Sequence, residues 1–119
     1  AYYSIEKDTI FVPNRKQFKN SIEYYDTIMH ELGHWTGHKS RLTRKIANCF
    51  GTESYAKEEL IAEIASMMIA ASIGLSHNTK QHAASCKSWI KILKDDPREI
   101  FKAASAANKI KDYLIKLSK

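Results

Sequence analysis

The most informative stretch of the chain is His30-Glu31-Leu32-Gly33-His34. On a helix, residues four apart share a face and lie about 6 Å apart along the axis. Two imidazoles so placed can converge on one divalent ion, each at about 2.0–2.1 Å. Glu31 is turned by roughly 100° from His30 and so stands beside the ion rather than on it. A carboxylate there can take a proton from a water activated by the ion and later return it, a role that glutamine could not fill. The chemistry this predicts is metal-assisted hydrolysis, with Zn2+ as cofactor, His30 and His34 as metal ligands and Glu31 as the catalytic base.

A hydrolytic zinc centre needs a third protein ligand and an open position for water. His38 would lie about 12 Å from His30 along a continuous helix, so it could join only if the helix stops near Gly37. The acidic run Lys57-Glu58-Glu59-Leu60-Ile61-Ala62-Glu63 is the better source. Glu59 and Glu63 share a helical face, so one can bind the ion while the other accepts a hydrogen bond from the far nitrogen of a ligand histidine. Glu58 is expected on the solvated side, and Glu53 is a further option from spacing. An oxyanion donor can come from His82 or from Tyr55. Arg41 and Arg44, which follow the first histidines, can pair with acids or bind phosphate.

The elements that must hold these residues are mostly helical. Tyr2 to Ile5 and Thr9 to Val12 are aromatic and β-branched around Glu6-Lys7-Asp8, which reads as a short hairpin ended by Pro13-Asn14. Ser21 can cap a helix with apolar positions Ile22, Tyr25, Ile28, Met29, Leu32 and Trp35, terminated at Gly37. After a loop over Lys39 to Thr52, a second helix is expected from Glu53 to Ile73. Its buried side would carry Leu60, Ile61, Ile64, Met67, Met68 and Ala71, and Gly74 would close it. A third helix is expected from near Asn78 through Leu93, and Trp89, like Trp35, is expected in the core. Asp96-Pro97-Arg98-Glu99 then marks the start of a fourth, running through Phe101, Ile110, Leu114 and Leu117. The fold class is therefore α+β, a mostly helical domain with a small N-terminal hairpin.

The bulk properties narrow the rest. The 119 residues suit one domain with a single core, 1–119, and 44% apolar with 27% charged residues fits a globular protein. No apolar run approaches the roughly 18 residues that span a bilayer, so no membrane partner and a cytoplasmic location are expected. The strand-like opening at Ala1, without methionine, predicts a domain taken from a longer chain. Cys49 and Cys86 make neither a disulfide framework nor a metal pair. The net charge of +6 sits wholly from His77 onward, where ten basic residues face four acidic ones. Scattered at helical spacing, they read as a solvated face before a nucleic-acid patch.

Histidine-Glu-x-x-His on one helix with glutamates on the next resembles the zincin peptidases of the glutamate-ligand type, the gluzincins, thermolysin among them. Their second helix carries Glu-x-x-x-Asp, which Glu59-x-x-x-Glu63 resembles with Glu in the last place. The resemblance implies Glu59 as third metal ligand and Glu63 as support of the first histidine, the longer acid leaving a swap open. A resemblance over nearly the whole chain rests on His30 to His38 with Ser40-Arg41-Leu42, Tyr55 to Glu63, Ser88-Trp89 and Leu93 to Arg98. These segments are similar to the C-terminal metallopeptidase domain of ArdC-type antirestriction proteins, which also occurs in TraC-like plasmid primases and phage polyvalent proteins. That family implies a separate N-terminal domain binding single-stranded DNA, work on plasmid or phage DNA during conjugation or infection in a bacterial cytoplasm, and a peptide or protein substrate left unnamed. Ser40 stands where metzincins place a histidine, which argues against that branch. The rival expectations are a DNA-associated binding module whose zinc is structural or vestigial, and an interacting helical domain without metal.

Overall fold

The computed structural model describes residues 1–46, 52–75 and 89–119. A two-stranded antiparallel hairpin, β1 (Tyr2–Ser4) and β2 (Thr9–Phe11), pairs Tyr2 with Phe11, Tyr3 with Ile10 and Ser4 with Thr9. Asp8 closes its turn in the left-handed region, at φ 49°. A 3-10 turn at Arg15–Gln17, which the sequence pattern did not reveal, follows Pro13 and is held by a capping box between Asn14 and Gln17.

Among the described residues four helices follow: α1 (Ser21–Trp35), α2 (Glu53–Ser72), α3 (Ile90–Asp95) and α4 (Glu99–Leu117). The cap of α1 is Asn20 rather than Ser21, its side chain accepting from the Glu23 amide at 2.9 Å. Thr52 caps α2 in the same way, through the Tyr55 amide. The end of α2 is a Schellman motif. Gly74 takes φ +74°, the Leu75 amide donates to Ala70 O at 2.9 Å and the Gly74 amide to Ala71 O at 3.4 Å. Asp96 accepts from the Arg98 amide at 3.1 Å, a capping contact, but the regular helix starts at Glu99 and not at Pro97. The expected start of the third helix near Asn78 lies outside the described residues, as do Cys49, His82 and Cys86.

Helix α2 is the centre of the molecule, packed on α1 along one side and on α4 along the other. Its expected single buried face is therefore wrong in part. Ala62, Ala65, Ile69 and Ala70 are buried, whereas Met67 and Ala71 are exposed. A helix sandwiched between two others loses the one-sided period on which such an expectation depends. Toward α4, Leu60 packs with Trp89 and Ala103, and Ala65 with Ala107 and Ile110. Toward α1, Met29 meets Ile69 and Ala70. Trp89 is core as expected. Trp35 is half-buried, with the Arg41 guanidinium stacked 3.8 Å from its ring centre.

Two small residues set the spacing of α1 and α2. A Cβ on Gly33 would come within 3.2 Å of Ala62 Cα and 3.3 Å of Ala62 Cβ, so glycine permits an approach that a side chain would oppose. The hairpin is tied to the same region, because Arg41 pairs with Asp8 and donates to Trp35 O at 2.7 Å. On α4, Lys102 and Lys111 lie near Glu99 and Asp112, at 3.4 and 3.3 Å, as a solvated charged face would have them. Among the described residues no helix is long and apolar enough to cross a membrane.

Because the obstacle at Gly33 is backbone and cannot swing aside, Gly33→Val should destabilise the fold by about 1–3 kcal/mol. Urea unfolding measures it, and a change near zero would mean that the helices are not in tight contact there.

Candidate metal centre

Closest packing at Gly33 and Ala62 brings the acidic turn of α2 against the histidines of α1. The Nε2 atoms of His30 and His34 face each other at 3.2 Å. Glu59 reaches both, with Oε2 at 3.0 Å from His30 Nε2 and Oε1 at 2.8 Å from His34 Nε2. The outer nitrogens are held as well. Glu63 Oε2 lies 2.9 Å from His30 Nδ1, and Glu58 Oε2 lies 2.8 Å from His34 Nδ1. An ionised carboxylate only accepts, so both Nδ1 atoms donate, and both rings present Nε2 to the same point.

This arrangement fits a metal ion. Two nitrogens bound tetrahedrally at 2.0–2.1 Å stand roughly 3.3–3.4 Å apart, close to the 3.2 Å separation found. Two imidazoles and a carboxylate form the donor set of a hydrolytic zinc site. Glu31 is buried beside them, and ligand-capable atoms of His30, Glu31 and His34 all lie within 4.8 Å of one another. The centre opens into a cleft of about 640 Å³, lined by Glu31, Tyr55, Glu58, Ile46, Ala1 and the strand residues Tyr2 and Tyr3 besides the three convergent side chains.

The charges in this pocket bind each other tightly. Burial opposes the imidazolium of His30, but hydrogen bonds to Glu59 and Glu63 outweigh it and push the ring up to about 10. His34 moves in the same direction, with burial overcome by Glu58 and Glu59. Glu59 is the counterpart. Burial would raise it, but the two rings hold it well below the usual carboxylate range. Tyr55 is raised by burial and by the charges of Glu59 and Glu31, so its phenol keeps its proton.

Sequence reasoning brought His30, Glu31, His34, Glu59, Glu63 and Tyr55 into consideration, and all six meet here. It missed Glu58, expected in solvent but 3% exposed and against His34. The signal for it was available only in three dimensions, from Arg44, which lies in the loop after α1 and donates to both Glu58 oxygens, at 2.9 and 3.1 Å. His38 is not at the centre. Its Nδ1 is engaged with Ser40 Oγ at 2.8 Å in the turn after α1. Glu53 is exposed and paired with Lys57 at 3.2 Å, away from the histidines.

Two helices crossing with His, His and Glu around an open cleft define a zincin-like centre. A family model described as zincin-like metallopeptidase matches residues 1–106, and the chain belongs to that family. It is 55% identical over 115 residues to a DNA primase TraC of Escherichia coli and 39% identical over 115 residues to an uncharacterized protein, y4eC, of Sinorhizobium fredii. These cover 97% and 96% of the chain, but only 8% and 38% of the relatives. The solved structure of the antirestriction protein ArdC from plasmid R388, with Mn(II) bound, is 48% identical with a TM-score of 0.82. The match covers 97% of the chain and 43% of ArdC. The metal-free form of ArdC superposes with a TM-score of 0.79. The match to ArdC extends the α+β, mostly helical architecture to a solved protein.

The raised pKa of His30 has a sign that can be checked. A ring at about 10 when folded and about 6.5 when unfolded stabilises the metal-free domain below pH 6.5. That contribution is lost as pH rises through 10. Metal-free thermal unfolding should therefore shift to lower temperature from pH 7 to pH 10. Constant stability across that range would show that the ring is not protonated against Glu59 and Glu63.

Proposed function

We propose that the domain is a metallopeptidase whose centre uses His30, His34 and Glu59 as metal ligands, Glu31 as catalytic base and Glu63 as the support of His30. The observation that carries this reading is the facing pair of Nε2 atoms, 3.2 Å apart, with one carboxylate touching both at the floor of an open cleft. Zn2+ suits the donor set, and the Mn(II) in ArdC supports a divalent ion in general. When bound, the ion supplies a Lewis acid that polarises the scissile carbonyl and lowers the pKa of water.

The chain's own residues do the rest. Glu31, one helical step from His30, takes the proton of the attacking water and delivers it to the leaving amine. Glu59 would offset half the charge of a divalent ion, while both Nδ1–H groups keep donating to Glu63 and Glu58. Tyr55, raised and protonated, is the described residue best placed to donate to the developing oxyanion. His82 remains a second candidate for that donor. Strand β1 pairs with β2 along one edge while Ala1 to Tyr3 line the cleft, so an extended peptide can add along the other edge.

The wider setting is also a proposal. The chain spans 8% and 11% of the two TraC relatives. Their length, with the names TraC and ArdC, supports residues 1–119 as the peptidase module of a plasmid- or phage-associated antirestriction protein. Single-stranded DNA would then be bound elsewhere in that protein, in a bacterial cytoplasm.

Glu31→Gln should bind one ion per chain with parental affinity and cut no peptide. Cleavage at the parental rate in a peptide-library assay would remove Glu31 as the base. Absence of cleavage by the metal-loaded parent across such a library would favour the binding-module alternative, with a structural or vestigial ion. Tyr55→Phe should lower kcat on order of 10²-fold with metal affinity unchanged. An unchanged kcat would pass that role to another donor.

A further inference from the structure

The loop between α1 and α2 supplies a cation with no part in the proposed chemistry, yet it reaches the underside of the centre. The Arg44 guanidinium spans three groups. Its Nε donates to Glu58 Oε1 at 2.9 Å, Nη2 to Glu58 Oε2 at 3.1 Å and Gly33 O at 2.7 Å, and Nη1 to Thr36 Oγ1 at 3.1 Å. Thr36 is fully buried and donates its own hydroxyl to Gly33 O at 2.6 Å. A planar guanidinium fork fixes a carboxylate in plane and in distance, as a flexible ammonium cannot. The same Glu58 Oε2 accepts from His34 Nδ1 at 2.8 Å.

Helix α2 therefore grips His34 from two sides. Glu59 meets Nε2 at 2.8 Å and its sequence neighbour Glu58 meets Nδ1. Glu58 is held in turn by Arg44, a residue outside the two helices. Gly37 makes room for this reach, since a Cβ there would stand 3.0 Å from Arg44 Nη2 and 2.6 Å from Ile46 Cδ1. We propose that Arg44 is a positioning residue of the metal centre, acting through Glu58 to aim the Nε2 of His34. The inference rests on the reading of His30, His34 and Glu59 as ligands. It adds a second carboxylate–histidine pair, braced from the loop, to the one formed by Glu63.

The physical expectation is specific. A ring whose outer nitrogen loses an oriented partner can rotate about its side-chain bonds and no longer presents a fixed lone pair to the ion. Removal of such partners typically lowers metal affinity 10- to 100-fold. Arg41 is the natural control. It lies in the same loop and carries the same charge, but it stacks on Trp35 and pairs with Asp8, without touching Glu58.

The test is chelator competition for Zn2+, together with the visible spectrum after Co2+ loading, on the parent chain and on Arg44→Lys, Glu58→Ala and Arg41→Lys. Arg44→Lys keeps the charge and removes the fork. It and Glu58→Ala should bind Zn2+ 10- to 100-fold more weakly, with altered cobalt bands, while Arg41→Lys matches the parent. Circular dichroism of the metal-free proteins checks the fold. Parental affinity and spectrum in folded Arg44→Lys and Glu58→Ala would overturn this inference alone, leaving the ligands as assigned. Loss of the metal-free fold in Arg44→Lys would also overturn it, because the residue would then serve the fold and not the ring. A parent that takes up no ion would overturn the ligand reading first and this one with it.

Discussion

The contact between Gly33 on α1 and Ala62 on α2 is the constraint on which the rest of the site depends. The two helices meet there without an intervening side chain, so residues one turn to either side are brought within hydrogen-bond reach. His30 and His34 sit just before and after the contact on α1 in sequence, and Glu58, Glu59 and Glu63 surround it on α2. The distances of about 3 Å between the histidines of α1 and the acids of α2 follow from that approach. Wider helix spacing would leave buried acids facing buried histidines across a gap, a costly arrangement for charged groups.

Opposite charges hold the side chains of the centre together. Four carboxylates, Glu31, Glu58, Glu59 and Glu63, gather around two imidazoles and one guanidinium. Both Nε2 atoms face Glu59, which favours a proton on each, and those protons stand in the place that suits a divalent cation. A metal ion and a pair of protons are thus alternative occupants of one site. Metal uptake is coupled to proton release, as for other sites built on histidine.

Much of this was legible in the sequence. The spacing of His30 and His34 placed both on one helical face, and the N-terminal hairpin, the α2 limits and the Gly74 terminus followed from local chemistry. Glu59 and Glu63 were named as partners because they share a helical face. Glu58 was assigned to solvent, since a one-sided reading of α2 left it on the outer side. That reading fails for a helix covered by α1 on one side and α4 on the other. Arg44 was left open between acid and phosphate because the segment around it has no period to orient it. Its partners are set by the chain's path over the end of α1. The exchange of Ser21 for Asn20 as the cap is smaller, since both residue types serve that position equally well.

The central claim is that one ion sits between His30, His34 and Glu59. X-ray absorption at the zinc edge of the loaded domain tests it most directly, read together with an anomalous difference map of its crystals. The account predicts one ion per chain, two imidazole nitrogens and carboxylate or water oxygens at about 2.0–2.2 Å, and no sulfur. A zinc ion ligated by a cysteine, or density at any place other than the facing Nε2 atoms, would contradict it.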